Sequence, residues 1–148
     1  MGVKVTIDAN AVRIKLEAAN EKALKEIKGQ VLSDCNEFCP EDQGVLINSS
    51  LSQSHVMSFF GESELRLIWA TPYARYLYYG LLMVGMITKR AWAKFGEHKK
   101  LANPKKQLTY HKKHQSSTPG KLWCEKARET YNEDWRLTYQ NALRRNLK

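Results

Sequence analysis

No stretch of about eighteen apolar residues occurs in this chain, so the sequence offers no helix able to cross a bilayer. The opening Met1-Gly2-Val3-Lys4-Val5-Thr6 has too short an apolar stretch for a secretory signal. Gly2 and Thr6 match the loose N-myristoylation pattern, but no second anchoring signal stands beside it. Cysteine is scarce and odd in number, at 3, which argues against a disulfide framework. Cys35 and Cys39 would supply two metal ligands where a closed zinc site takes four, so they read as half-buried thiols at a helix end. There is no Gly-rich phosphate loop, no G-x-S-x-G elbow, no H-E-x-x-H helix and no C-x-x-C pair. Acidic residues are also short, 15 against 24 Lys and Arg, for a net charge of +9.

What is present suits an ordinary globular chain, with 43% hydrophobic and 26% charged residues over 148 positions. That length is enough for one core without staples, so 1–148 reads as a single domain. The positive charge is concentrated. From Lys89 to His114 nine bases (Lys89, Arg90, Lys94, Lys99, Lys100, Lys105, Lys106, Lys112 and Lys113) face one acid, Glu97. The remainder holds 15 bases and 14 acids and is close to neutral.

Periodicity gives the elements. Val3, Val5 and Ile7 alternate as in a short strand, and Asp8 or Asn10 can cap a following helix. Leu16, Ala19, Ala23, Ile27, Val31, Cys35 and Phe38 recur at helical steps, widened by Leu24 and Leu32, until Pro40 stops the helix. After a Glu41–Gly44 turn and Val45, Leu46 and Ile47, residues 51–60 read as a strand. Glu64 to Ala70 returns as its hairpin partner across Gly61-Glu62-Ser63. Tyr73 to Tyr79 reads as a short aromatic helix or turn closed by Gly80. Residues 81–116 form an extended basic loop or arm. A last helix begins near Ser117 or Thr118 with Pro119 in its first turn, and carries Trp123, Ala127, Tyr131, Trp135, Tyr139 and Leu143 at four-residue steps. These elements make an α+β chain with long first and last helices and an antiparallel hairpin.

Candidate chemistry is thin. Cys124 would need a histidine and an acid brought to it in space. His98, His111 and His114 lie in the most cationic stretch, where a metal ion is repelled. No catalytic residue, metal or cofactor is expected. The basic segment admits two readings. Its paired lysines, interleaved with Trp92, Phe95 and Tyr110, could grip phosphates and stack on bases; equally, they form an arm that orders against an acidic partner protein.

Three patches, taken in order, resemble one family. Pro40-Glu41-Asp42-Gln43-Gly44-Val45-Leu46 with Ser49-Ser50-Leu51 is similar to the P-x-D-x-G-x-L-x-x-S segment of tail-completion and minor capsid proteins of tailed bacteriophages. Ile68 to Gly80 resembles that family's strand followed by P-Y-A and an aromatic pair. Trp123-Cys124-Glu125-Lys126-Ala127 resembles its closing W-F-E-x-A-K helix, with Cys124 in place of the usual Phe. The likeness covers roughly 10–80 and 117–145, and the 81–116 stretch departs from it. The resemblance implies a fold with the two long helices packed on a small antiparallel sheet, and a structural subunit of the virion neck, joining head to tail as a homo-oligomeric ring. It implies contact with adjacent head, neck and tail proteins, assembly in the host cytoplasm, and DNA in the neck channel as a further partner. Tyr73, Arg75, Tyr76, Tyr78 and Tyr79 suit a subunit contact, since aromatics and Arg are enriched in interfaces.

Overall fold

A computed structural model describes residues 8–102, 106–111 and 118–148. The expected strand at 3–7 and the Ser117 cap lie outside these residues. Helix α1 runs Ala9–Phe38, its first amides held by the Asp8 carboxylate, which accepts from Asn10 N at 3.0 Å and Ala11 N at 3.2 Å. Pro40 ends it as expected. Ala19, Ala23, Ile27, Val31, Leu32 and Cys35 are buried along one stripe, but Leu16, assigned to that stripe by spacing, lies exposed near the helix start.

Helix α2, Val45–Gln53, replaces the strand expected from Leu51. Gly44 sits in the left-handed region at φ +75°, which turns the chain into this helix. Its serines satisfy their hydroxyls on preceding carbonyls, Ser49 to Leu46 O at 2.6 Å and Ser50 to Ile47 O at 2.7 Å. Leu46 and Ser50, one turn apart, are the buried pair. Tertiary burial on this face overrides the strand preference of Val45 and Ile47.

The hairpin follows, shorter than read from sequence. Strand β1 is His55–Phe59 and β2 is Glu62–Arg66, antiparallel with Val56 opposite Leu65. Phe60 at φ +49° and Gly61 at φ +83° form its two-residue turn, both left-handed as a type I′ turn requires. Residues 67–70 continue without strand pairing. Helix α3, Ala74–Tyr79, closes at Gly80, φ +71°, whose amide caps Leu77 O.

The insert contains a second antiparallel pair, β3 Met83–Gly85 with β4 Lys99–Leu101, extended by a bridge between Leu81 and Gln107. Helix α4, Trp123–Leu147, starts five residues later than expected, because Leu122 takes a left-handed conformation and Thr118–Gly120 stays irregular. Gly120 N and Leu122 N instead donate to Phe38 O and Tyr78 O, which ties the α4 entry to α1 and α3.

Helix α4 lies antiparallel along α1, and β1–β2 packs on α1 as well. The α4 stripe reaches α1 through polar tips: Tyr131 Oη to Glu37 Oε2 at 2.6 Å, Trp135 Nε1 to Asp34 Oδ2 at 2.6 Å and Tyr139 Oη to Asn20 Oδ1 at 2.7 Å. Near its end, Arg145 Nη2 and Asn146 Nδ2 both reach the Glu26 carboxylate. In Tyr131, Trp135 and Tyr139 the aromatic body covers apolar surface while its polar atom finds a partner, whereas the buried Trp123 Nε1 at the start of the helix has none among the described residues.

Candidate assembly surface

The three motif patches meet in space. Leu46, Ala74, Trp123 and Ala127 belong to one buried cluster with Ile27, Val31 and Cys35 of α1 and with Cys39 just after it. Trp123 is its centre: Trp69 packs edge-on at 5.8 Å between ring centroids and Tyr78 at 4.6 Å. A polar seam joins α2 to the segment after β2. Asn36 Nδ2 donates to Ser50 Oγ at 2.9 Å, Trp69 Nε1 to Asn36 Oδ1 at 3.0 Å, and Ala70 N to Ser49 Oγ at 3.2 Å. The motif residues therefore hold α2, α3 and the start of α4 together, and α3 is positioned rigidly between them.

The tyrosines of α3 and its entry divide. Tyr78 turns inward against Trp123, its hydroxyl bonded to Glu125; burial first, then that carboxylate, pushes its pKa above the usual tyrosine range. Tyr76 is half-buried. Tyr73, Arg75 and Tyr79 are exposed; Arg75 and Tyr79, one turn apart, border a hollow beside Trp123, while Tyr73 faces a different one. Tyr73 and Leu77 also help line a half-open groove of about 790 Å³, whose other wall is Pro40–Leu46 and whose floor includes Tyr110. Two carboxylates, Glu41 and Asp42, and the imidazole of His111 are among its described lining residues.

The insert is organised by its one acid. The Glu97 carboxylate accepts amides from Ile87 at 2.6 Å, Thr88 at 2.7 Å and Lys94 at 2.8 Å, together with the Thr88 hydroxyl at 3.2 Å. Desolvation pulls its pKa upward, but these donors outweigh it and hold the carboxyl at about 2. With its acid turned into the turn, the hairpin tip presents cations outward: Lys89, Arg90, Lys94, Lys99 and Lys100 are all exposed. Ile87, Trp92 and Phe95 are exposed beside them, Phe95 completely at 109%. Lys106 is exposed too; Lys105, Lys112 and Lys113 lie outside the described residues. Tyr110 does not join this display, because it is half-buried and its hydroxyl donates to Leu77 O at 2.6 Å.

Cys124 faces other thiols. It is a free thiol hydrogen-bonded with that of Cys35, a contact that lowers the Cys124 pKa and raises that of Cys35, and it also bonds with the Tyr78 hydroxyl. Histidine does not figure among these partners, and among the described residues no cluster of three His, Cys, Asp or Glu is arranged to hold a metal ion. Nor is any helix among them long and apolar enough to cross a membrane.

The aromatic excess of α3 and the basic tip were visible in sequence. The rim groove was not, because it forms only when residues 40–46 meet residues 109–111, some seventy positions away. A sequence profile described as minor capsid protein matches residues 3–143. Comparison with curated proteins and with solved structures gave no match.

Proposed function

The chain belongs to the minor capsid protein family of bacteriophages, a structural component of the virion, and from that premise we propose that it is a neck subunit joining head to tail by closing into a homo-oligomeric ring. It works by offering shaped surface to copies of itself and to adjacent head, neck and tail proteins, with no bond made or broken. The observation that carries this reading is the exposed Arg75 and Tyr79 on a short helix fixed by the core, with exposed Tyr73 at its entry. Aromatic and Arg side chains on a rigid support are what protein interfaces concentrate, because they bury large area at low entropic cost. A head-to-tail contact of this kind closes into a ring when its rotation allows. Tyr76 and Tyr78 then act from behind, setting the position of the contact face.

The experiment is electron microscopy of particles assembled with and without this chain. The reading expects a ring at the head–tail junction and unjoined heads and tails in its absence. Normal joining without the chain would end it.

A second reading, nucleic-acid binding through 89–114, is favoured by one observation: Trp92 and Phe95 stand exposed in a tip whose only acid is turned inward. It would place the tip toward DNA in the neck channel. Phosphate contact predicts retention on DNA that weakens steeply between low and physiological salt. Unchanged retention after Lys89, Lys94, Lys99 and Lys100 are replaced by Gln removes it.

A further inference from the structure

We infer that the hairpin tip, residues 86–97, is a preformed plug that seats in an apolar, acid-rimmed pocket on a different virion protein adjacent to this chain. This rests on the joining role proposed above and names the chemistry of the partner that role requires. Ile87 is 78% exposed and Phe95 109%, with Trp92 and Met86 about half exposed. An apolar projection of this kind marks a contact surface, because a lone subunit gains nothing by holding it in water. The tip has its shape before any partner arrives. Glu97 gathers the amides of Ile87, Thr88 and Lys94 on one carboxylate, which brings the two halves of the tip together. Gly85 N donates to Arg90 O at 2.9 Å and the Thr88 hydroxyl to Trp92 O at 3.0 Å, closing the first half on itself. A surface already held in this way loses little entropy on docking, unlike an arm that orders only against its partner.

Charge decides what rims the pocket. Lys89, Arg90, Lys94, Lys99 and Lys100 are exposed on or beside the tip, and Glu97, the one acid between 89 and 114, is engaged by the turn's own amides. A neutral or basic rim would desolvate these cations without pairing them; an acidic rim pairs them. A second copy is a poor source of such a rim. Outside 89–114 the chain holds 15 bases against 14 acids, and each copy brings a cationic tip of its own. Nucleic acid also meets the cations, but Ile87, far more exposed than Trp92, has no ring to stack on a base.

The test puts the photo-activated cross-linker p-benzoylphenylalanine in place of Phe95 in the full chain and follows it into assembled particles. Irradiation should join position 95 to one peptide of another virion protein, with apolar residues flanked by Asp or Glu. Phe95→Asp with Trp92→Ser, checked for an unchanged circular dichroism spectrum, should weaken incorporation into particles roughly thirtyfold, as losing a central interface anchor does. Lys89→Glu with Lys94→Glu should also lose incorporation, and changing the acids of the cross-linked peptide to Lys should restore it. Particles that carry the chain but cross-link position 95 to a second copy, to DNA or to nothing overturn the plug. Full incorporation of the Phe95→Asp double variant, or no rescue by the charge exchange, overturns it as well. The place of the chain at the junction is read separately by microscopy. A failed plug therefore leaves the neck assignment standing, and a plug found away from the junction ends that assignment alone.

Discussion

Trp135 shows how the α1–α4 seam is built, and Trp135→Phe measures it. Its indole N–H donates to Asp34 Oδ2 at 2.6 Å, while Gln30 Nε2 holds Oδ1 at 2.8 Å. Asp34 is buried at 8% exposure, so water does not readily replace a lost donor. Phenylalanine keeps most of the ring and deletes the donor. A hydrogen bond to a charged group contributes about 1.5–3 kcal/mol. Losing the smaller, half-buried part of the indole adds about 0.5 kcal/mol at 25 cal/mol per Å². The expected destabilisation is thus about 2–3.5 kcal/mol, read from urea unfolding followed by circular dichroism at fixed protein concentration. In an Asp34→Ala background the acceptor is gone, and the same change should cost only the packing part, about 0.5 kcal/mol. The reasoning fails if Trp135→Phe costs the same in both backgrounds to within about 0.5 kcal/mol.

Three further outcomes are expected. Phe60→Asn should stabilise the fold by about 1 kcal/mol, since Phe60 holds φ +49° where Asn is far better tolerated; an unchanged or lower melting temperature contradicts this. Gly85→Ala should open the hairpin tip locally, because a Cβ there would lie 2.3 Å from both Glu97 Oε1 and Thr88 Oγ1; faster hydrogen exchange at Ile87, Thr88 and Lys94, with the α1–α4 amides unchanged, is the signature. The third outcome concerns pH. The folded-state pKa of Glu97 is depressed to about 2, below its ordinary value of 4.5. Its contribution is therefore complete above the ordinary carboxylate range and fades as pH falls through about 2. Amide chemical shifts at the tip should stay native at pH 4 and change only near pH 2; a transition at pH 4–5 would show that the carboxylate is not held as described.

Much of the architecture was legible because it depends on local pattern. The α1 stripe, the Pro40 stop, the hairpin and the Gly80 closure each follow from spacing or from a residue with a special backbone preference. Helix α2 was hidden because Val45, Ile47 and three serines read as strand and loop, and only burial of Leu46 and Ser50 decides for helix. The late start of α4 was hidden for a similar reason: the Thr118-Pro119 signal is genuine, but amides of Gly120 and Leu122 find better partners on α1 and α3. At the candidate surface, sequence supplied the excess of tyrosines but not which faced outward, since Tyr78 is turned inward by a tryptophan 45 positions away. The role of Glu97 was equally out of reach. One acid among nine bases reads as a minor counter-charge until the turn brings three backbone amides around it.

The polar-tipped aromatics between the long helices have a mechanical consequence. A purely greasy seam lets one helix slide past another with little penalty, as oily surfaces do. Here Tyr131, Trp135 and Tyr139 each terminate on a different oxygen-bearing residue, so a shift of one turn would strand all three tips at once. The seam behaves like a vernier with a single matching position. A push delivered at one end of the 30-residue rod is therefore resisted by all three pairings together, not by one contact at a time.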